Sequence, residues 1–109
     1  MLGGLWGSKV STVSASDLVT LLKQDPKPLV LDVRTPGEFA HGHVPGARLV
    51  PLGQLGRHLA ELPRDREIVT VCRSGHRALM AARQLARAGF SVRNLTGGML
   101  AWTGPTAKD

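Results

Sequence analysis

Two short apolar runs, Leu29-Val30-Leu31-Asp32-Val33 and Glu67-Ile68-Val69-Thr70-Val71, constrain this chain more than any other feature. Both are rich in β-branched residues and lack the polar alternation of a strand with one wet face, so they read as parallel strands buried on both sides. Each is followed at once by helix-start punctuation. Thr35-Pro36-Gly37-Glu38 supplies an N-cap, a proline at the first helical position and an acid at the third. Cys72-Arg73-Ser74-Gly75-His76-Arg77 leads into an Ala/Leu/Met helix that ends near Gly89. Strands alternating with helices in one small chain predict an α/β domain with a mainly parallel sheet covered on both faces. Ligands in that architecture bind beyond the carboxyl ends of the strands. Asp32-Val33-Arg34 and the Cys72–Arg77 loop both stand at such ends.

The remaining segments fit the same scheme. Val10 to Val13 alternates like a short strand, and Ser14 with Asp17 forms a capping-box-like pair opening a helix through Leu18, Leu21 and Leu22, which Asp25-Pro26 should end. His43-Val44-Pro45-Gly46 reads as a turn into the apolar stretch Ala47 to Leu52. Leu52, Leu55, Leu59 and Leu62 then recur at helical spacing and predict a helix before Pro63. Phe90 to Leu95 reads as the last strand, Thr96-Gly97-Gly98 as a turn and Met99 to Trp102 as a terminal helical piece.

With 109 residues the chain has room for one modest core. Its 42% hydrophobic and 20% charged residues are those of an ordinary globular protein. Cys72 is the only cysteine, so no internal disulfide forms and a reducing compartment is the simpler setting. Met1 to Gly7 has neither a cationic n-region nor a sustained apolar run, and no stretch reaches the length of a membrane span, which leads to the expectation of a soluble, cytoplasmic protein. The net charge of +6 is spread over scattered arginines with acids between many of them, and there are only two Trp, two Phe and no Tyr. That pattern lacks the basic, aromatic-interleaved stripe of a nucleic-acid binder.

The chemistry centres on Cys72. A free thiol ionises at about pH 8.5, so a catalytic cysteine needs its anion stabilised. Consecutive N–H groups after Cys72 can curl into an anion-binding nest, the helix starting near His76 points its positive end at the sulfur, and Arg73 and Arg77 add charge. Gly75 permits a tight concave loop and leaves no side chain in the cradle, while Ser74 can donate a further hydrogen bond. Taken alone, a cysteine at a strand end is more often a small buried hydrophobe, but the flanking Arg, Gly, His and Arg argue for chemistry.

These residues carry a specific resemblance. Cys72-Arg73-Ser74-Gly75-His76-Arg77 after an apolar strand resembles the active-site loop of the rhodanese family. Leu31-Asp32-Val33-Arg34 with Glu38-Phe39, His41-Gly42-His43-Val44-Pro45-Gly46-Ala47, and Leu95-Thr96-Gly97-Gly98 ending in Ala101-Trp102 are similar to family motifs in the same order. The resemblance implies a single rhodanese-like domain over 10–104, with an N-terminal extension over 1–9 and a tail over 105–109. Its sheet would be five-stranded and mainly parallel, with helices on both faces. It also implies a two-step sulfur transfer: the Cys72 thiolate takes the outer sulfur of a small anionic donor such as thiosulfate, and the persulfide passes it to cyanide, a thiol or a protein acceptor. Arg73 and Arg77 are then the donor-anchoring candidates.

Other roles stay open at this level. His76 can donate a proton or simply stand at the helix start. Asp32 reads as structural, accepting loop N–H groups or pairing with an arginine, and Arg34 either lines the pocket or sits at the surface. His41 and His43 lack further ligands at metal-binding spacing, Trp102 and the leucine stripe read as packing, and nothing calls for a metal or an organic cofactor. Two other functions compete with sulfur transfer. One is a non-catalytic module that docks a protein or small anion on the nest, against which the retained cysteine counts. The other is a small phosphatase or arsenate reductase, whose loops are one residue longer and typically carry a histidine before the cysteine. Here the spacing is C-x4-R and Val71 precedes Cys72. A monomer is expected.

Overall fold

The computed structural model describes residues 10–109; the N-terminal extension expected over 1–9 lies outside the described residues. Five strands form one sheet: β1 (Ser11–Val13), β2 (Leu29–Asp32), β3 (Arg48–Leu49), β4 (Ile68–Val71) and β5 (Val92–Leu95). Their order across the sheet is β1-β5-β4-β2-β3, and every pairing is parallel. The two apolar runs are the inner strands. β4 lies at the centre with β2 directly beside it, pairing Leu29 with Ile68 through to Asp32 with Val71, and every residue of both is buried.

Helices α1 (Ala15–Leu21), α2 (Pro36–Ala40), α3 (Leu55–His58) and α4 (His76–Arg87) complete the layers. The strand period of two sorts side chains into two cores. Leu29, Leu31, Ile68 and Cys72 join Leu55 and the Ala78, Ala81 and Leu85 stripe of α4. Val30, Val69, Val71 and Leu95 join Leu18 of α1 and Val44. Cys72 therefore has the parity of the α4 face, which brings its sulfur to the helix that follows it.

Several boundaries differ from the sequence reading. α1 begins as expected, with Ser14 Oγ accepting the Asp17 N–H at 3.1 Å, but stops at Leu21, ahead of Asp25-Pro26. The leucine stripe forms a 3-10 turn (Leu52–Gln54), the single turn of α3 and a second 3-10 turn (Leu59–Glu61), not one helix. Gly53 and Gly56 weaken that helix while the leucine spacing survives: Leu55 and Leu62 are buried and Leu52 and Leu59 pack on the same core. The last strand starts two residues after Phe90, whose N–H instead closes on Leu85 O at 3.0 Å beyond α4. Residues 105–109 lie back on the domain: Ala107 and His43 exchange backbone bonds of 2.9 and 2.8 Å.

After β5, Gly98–Ala101 makes a 3-10 turn directly beneath the Cys72 loop. The Met99 N–H donates to Cys72 O at 2.8 Å and the Leu100 N–H to Arg73 O at 3.0 Å. Gly98, at φ +58°, is the point of closest approach: a Cβ there would lie 2.6 Å from Arg73 O and closer still to Cys72 O. Gly98→Ala combines a left-handed backbone with a collision and is expected to lower stability by roughly 2–4 kcal/mol. Gly37→Ala, whose Cβ would meet nothing within 4 Å, is expected to leave stability unchanged or slightly raised. Urea unfolding midpoints of the two variants check this contrast.

Candidate active site

Cys72 follows the last residue of β4 and is 1% exposed. Its Sγ accepts hydrogen bonds from the Gly75 N–H at 3.0 Å and the Ala78 N–H at 3.3 Å. Gly75 makes this possible by adopting φ +113° at the N-cap of α4, folding the loop over the sulfur. Ala78 is the third residue of α4, and its amide belongs to the first-turn donors that have no partner inside a helix. The sulfur thus stands where a capping oxygen would stand in another helix, at the positive end of the helix dipole. Thr70 Oγ1 holds that turn against β4 by donating to Ala78 O at 3.0 Å, and Asn94 Nδ2 reaches Gly75 O at 3.4 Å. Two aligned N–H donors and a helix N-terminus favour a sulfur that carries negative charge.

The end of β2 supplies the neighbouring wall. Asp32 is fully buried and accepts from three donors of Arg34: the backbone N–H at 3.1 Å, Nε, shared between both oxygens at 2.9 and 3.1 Å, and Nη2 at 2.7 Å. Arg34 Nη2 also donates to Gly42 O at 2.8 Å. Arg34 is only 6% exposed, so it does not sit at the surface; its guanidinium is folded onto Asp32 beside the end of β2. Removing either partner would strand a buried charge.

Thr35 caps α2 in a reciprocal box: Thr35 Oγ1 accepts the Glu38 N–H at 3.2 Å and Glu38 Oε1 accepts the Thr35 N–H at 3.1 Å. The same Glu38 carboxylate receives Arg77, with Nη1 to Oε1 at 2.7 Å and Nη2 to Oε2 at 2.9 Å. This bidentate pair ties the loop after β2 to the loop after β4, so the two strand-end segments do converge. The sequence marked Glu38 as a helix-start acid and part of a family-like motif, but not as the partner of Arg77. Only the adjacency of β2 and β4 brings the two together, and no spacing rule reaches across 39 positions.

Arg77 is therefore committed to Glu38, while Arg73, Ser74 and His76 are exposed. Among the described residues none of those three makes a side-chain hydrogen bond or ion pair. His76 is the first residue of α4. The Nδ1 atoms of His41 and His43 are bonded to Gly37 O and Phe39 O at 2.7 Å each, and His43 Nε2 meets Asp109 Oδ1 at 3.0 Å. Among the described residues no group of three or more His, Cys, Asp or Glu gathers as a metal site. No helix there is long and apolar enough to cross a membrane.

The Arg77 hydrogen bonds pull the Glu38 carboxyl from its ordinary 4.5 down to about 2, against the opposing effect of burial. Arg77 is held more firmly protonated, first by its hydrogen bond to Glu38 and further by the charges of Cys72 and Asp32. Because the folded value is depressed, the stability this pair contributes is complete above about pH 4.5 and disappears as pH falls toward about 2. With side chains 36% and 30% exposed, solvent screens the pair, and the contribution is of order 1 kcal/mol or less. Wild type and Glu38→Gln are expected to differ by a constant amount at neutral pH and to converge below about pH 4.5. Urea midpoints measured across that range test this.

The sequence matches the rhodanese-like domain family over residues 14–105. A sulfurtransferase of Allochromatium vinosum is 36% identical over 94 residues, spanning 85% of this chain and 88% of the relative. The putative sulfurtransferase YtwF of Bacillus subtilis is 33% identical over 98 residues, spanning 90% of this chain and 95% of the relative. The crystal structure of a rhodanese-related protein from Thermoplasma volcanium superposes with a TM-score of 0.85 at 26% identity, covering 91% of this chain and 99% of that one. With the all-parallel five-stranded sheet and the Cys72 loop at its carboxyl edge, these similarities lead to one conclusion: the chain belongs to the rhodanese-like domain family.

Proposed function

We propose that this protein is a sulfurtransferase that carries sulfur as a persulfide on Cys72, with thiosulfate or a donor of the same chemistry as its source. The observation that carries the reading is the placement of Sγ on the Gly75 and Ala78 N–H groups at 3.0 and 3.3 Å. The names of the Allochromatium and Bacillus relatives support the same reaction class. In the first step the Cys72 thiolate attacks the outer sulfur of thiosulfate, a new S–S bond forms at Cys72, and sulfite departs with the electron pair of the bond that breaks. In the second step a nucleophile such as cyanide or a thiolate attacks the terminal sulfur and returns the Cys72 thiolate. No external oxidant or reductant enters.

The loop's parts fit this cycle. The N–H groups that face Sγ are placed to hold the thiolate without the reorganisation that water would require, and the terminal sulfur, which carries the charge of the persulfide, would take up the same loop donors. Cys72 is nearly enclosed, which favours a donor that presents a slender terminal sulfur over a bulky one. Arg73, exposed and uncommitted, is the better anchor for the donor's oxyanion, while Arg77 serves through its bond to Glu38 to fix the loop. Donation from Gly75 and Ala78 onto the sulfur itself favours catalysis over a docking module, because a docked anion would have to displace Sγ from those donors.

Intact mass after incubation with thiosulfate is expected to show one added sulfur on wild type and none on Cys72→Ser, with cyanide discharging it as thiocyanate. Arg73→Ala is expected to raise the KM for thiosulfate by about tenfold or more, with a smaller effect on a persulfide donor that lacks thiosulfate's oxygens. If neither thiosulfate, mercaptopyruvate nor a small-molecule persulfide loads Cys72, the transferase reading fails and the anion-docking module takes its place.

A further inference from the structure

A second site lies at the opposite edge of the sheet, where β2 and β4 begin. A cavity of about 290 Å³ opens between the end of α1, the segment 27–30, the Pro45-Gly46 turn and Trp102. Its walls are apolar, formed by Val19 of α1 and its C-cap Leu22, by Pro28 and by Trp102. The ring is fixed in place: its Nε1–H donates to Pro105 O at 2.8 Å, and Gly104 packs so closely against it that a Cβ there would come within 3 Å of ring atoms.

The lining is cationic where it is charged. Lys23, Lys27 and Arg66 belong to it, and no aspartate or glutamate does. Arg66 Nε donates to Lys27 O at 3.2 Å, which pins the guanidinium beside the opening without neutralising it. Among the described residues none of the three cations forms an ion pair. Asp25, in the turn between the two lysines, is exposed and is not part of the lining.

Apolar walls with a few convergent polar groups are the usual build of a small-molecule site, and about 290 Å³ is at the lower end of that range. An inorganic anion would gain little from the apolar walls, and a hydrocarbon little from the three cations. A ligand that satisfies both has an apolar body and one anionic end. We propose that this cavity binds a small organic anion, with an aromatic or short aliphatic body against Trp102 and Val19 and a terminal carboxylate, or a sulfonate or phosphate of similar size, between Lys23, Lys27 and Arg66. The inference rests on this cavity alone and is independent of sulfur chemistry at Cys72.

Titration of the full chain with 4-phenylbutyrate, followed by two-dimensional amide NMR, tests it. Saturable shifts are expected at the Trp102 indole N–H and at the amides of Lys27, Leu29 and Val30. The neutral isostere 4-phenylbutyramide is expected to bind about tenfold more weakly or worse. Lys23→Glu with Lys27→Glu, both at exposed positions, is expected to remove that preference for the acid while leaving the amide's affinity unchanged. Val19→Phe, which partly fills the cavity, is expected to weaken both ligands. Equal affinity for acid and amide, the absence of saturable shifts, or shifts confined to residues 73–78 would overturn the proposal; the last would show the carboxylate held by the Cys72 loop instead.

Discussion

Parallel pairing of β2 with β4 is the constraint on which the rest depends. Because both strands run the same way and lie side by side, the loops that leave them emerge at one edge, a strand spacing apart. Glu38 and Arg77 then stand within bidentate reach, and the two loops become one wall. β5, on the other side of β4, delivers Gly98 beneath the Cys72 peptide. Three connections from three neighbouring strands therefore meet around one sulfur.

Electrostatics divides the labour among the charged residues. The buried Asp32–Arg34 pair is internal to its own connection and shapes it. The half-buried Glu38–Arg77 pair joins two connections. Arg73 is left exposed at the mouth of the loop. The sulfur receives its direct support from uncharged backbone N–H groups of Gly75 and Ala78, whose positions are set by the helix start and by one left-handed glycine. Fixed dipoles of this kind hold a thiolate without a mobile side chain.

Much of this was legible in the sequence. The unbroken apolar runs located β2 and β4, the Thr35-Pro36-Gly37-Glu38 pattern located α2 with its capping box, and the CRSGHR loop placed Cys72 at the start of α4. What was hidden was tertiary. The leucine stripe kept its inward face but lost its helix, since the glycines inside it decided local geometry while leucine spacing decided burial. The partner of Arg77, Glu38, lies 39 residues away, beyond any spacing rule, and Gly98 looked like an ordinary turn glycine because the carbonyls it must clear belong to another loop. Arg34, readable as wall or surface, is folded inward onto the buried Asp32 carboxylate, a contact that sequence spacing alone does not fix.

The central claim is that backbone N–H groups of the Cys72 loop hold an anionic sulfur in both the free and the loaded state. Amide proton shifts of Gly75 and Ala78 report on those bonds directly. On loading with thiosulfate, both are expected to remain among the most downfield amides of the loop and to move measurably, with the changes concentrated in residues 73–78 and reversed by cyanide. Loading that leaves the Gly75 and Ala78 protons unmoved, or that shifts residues remote from the loop instead, would contradict the account.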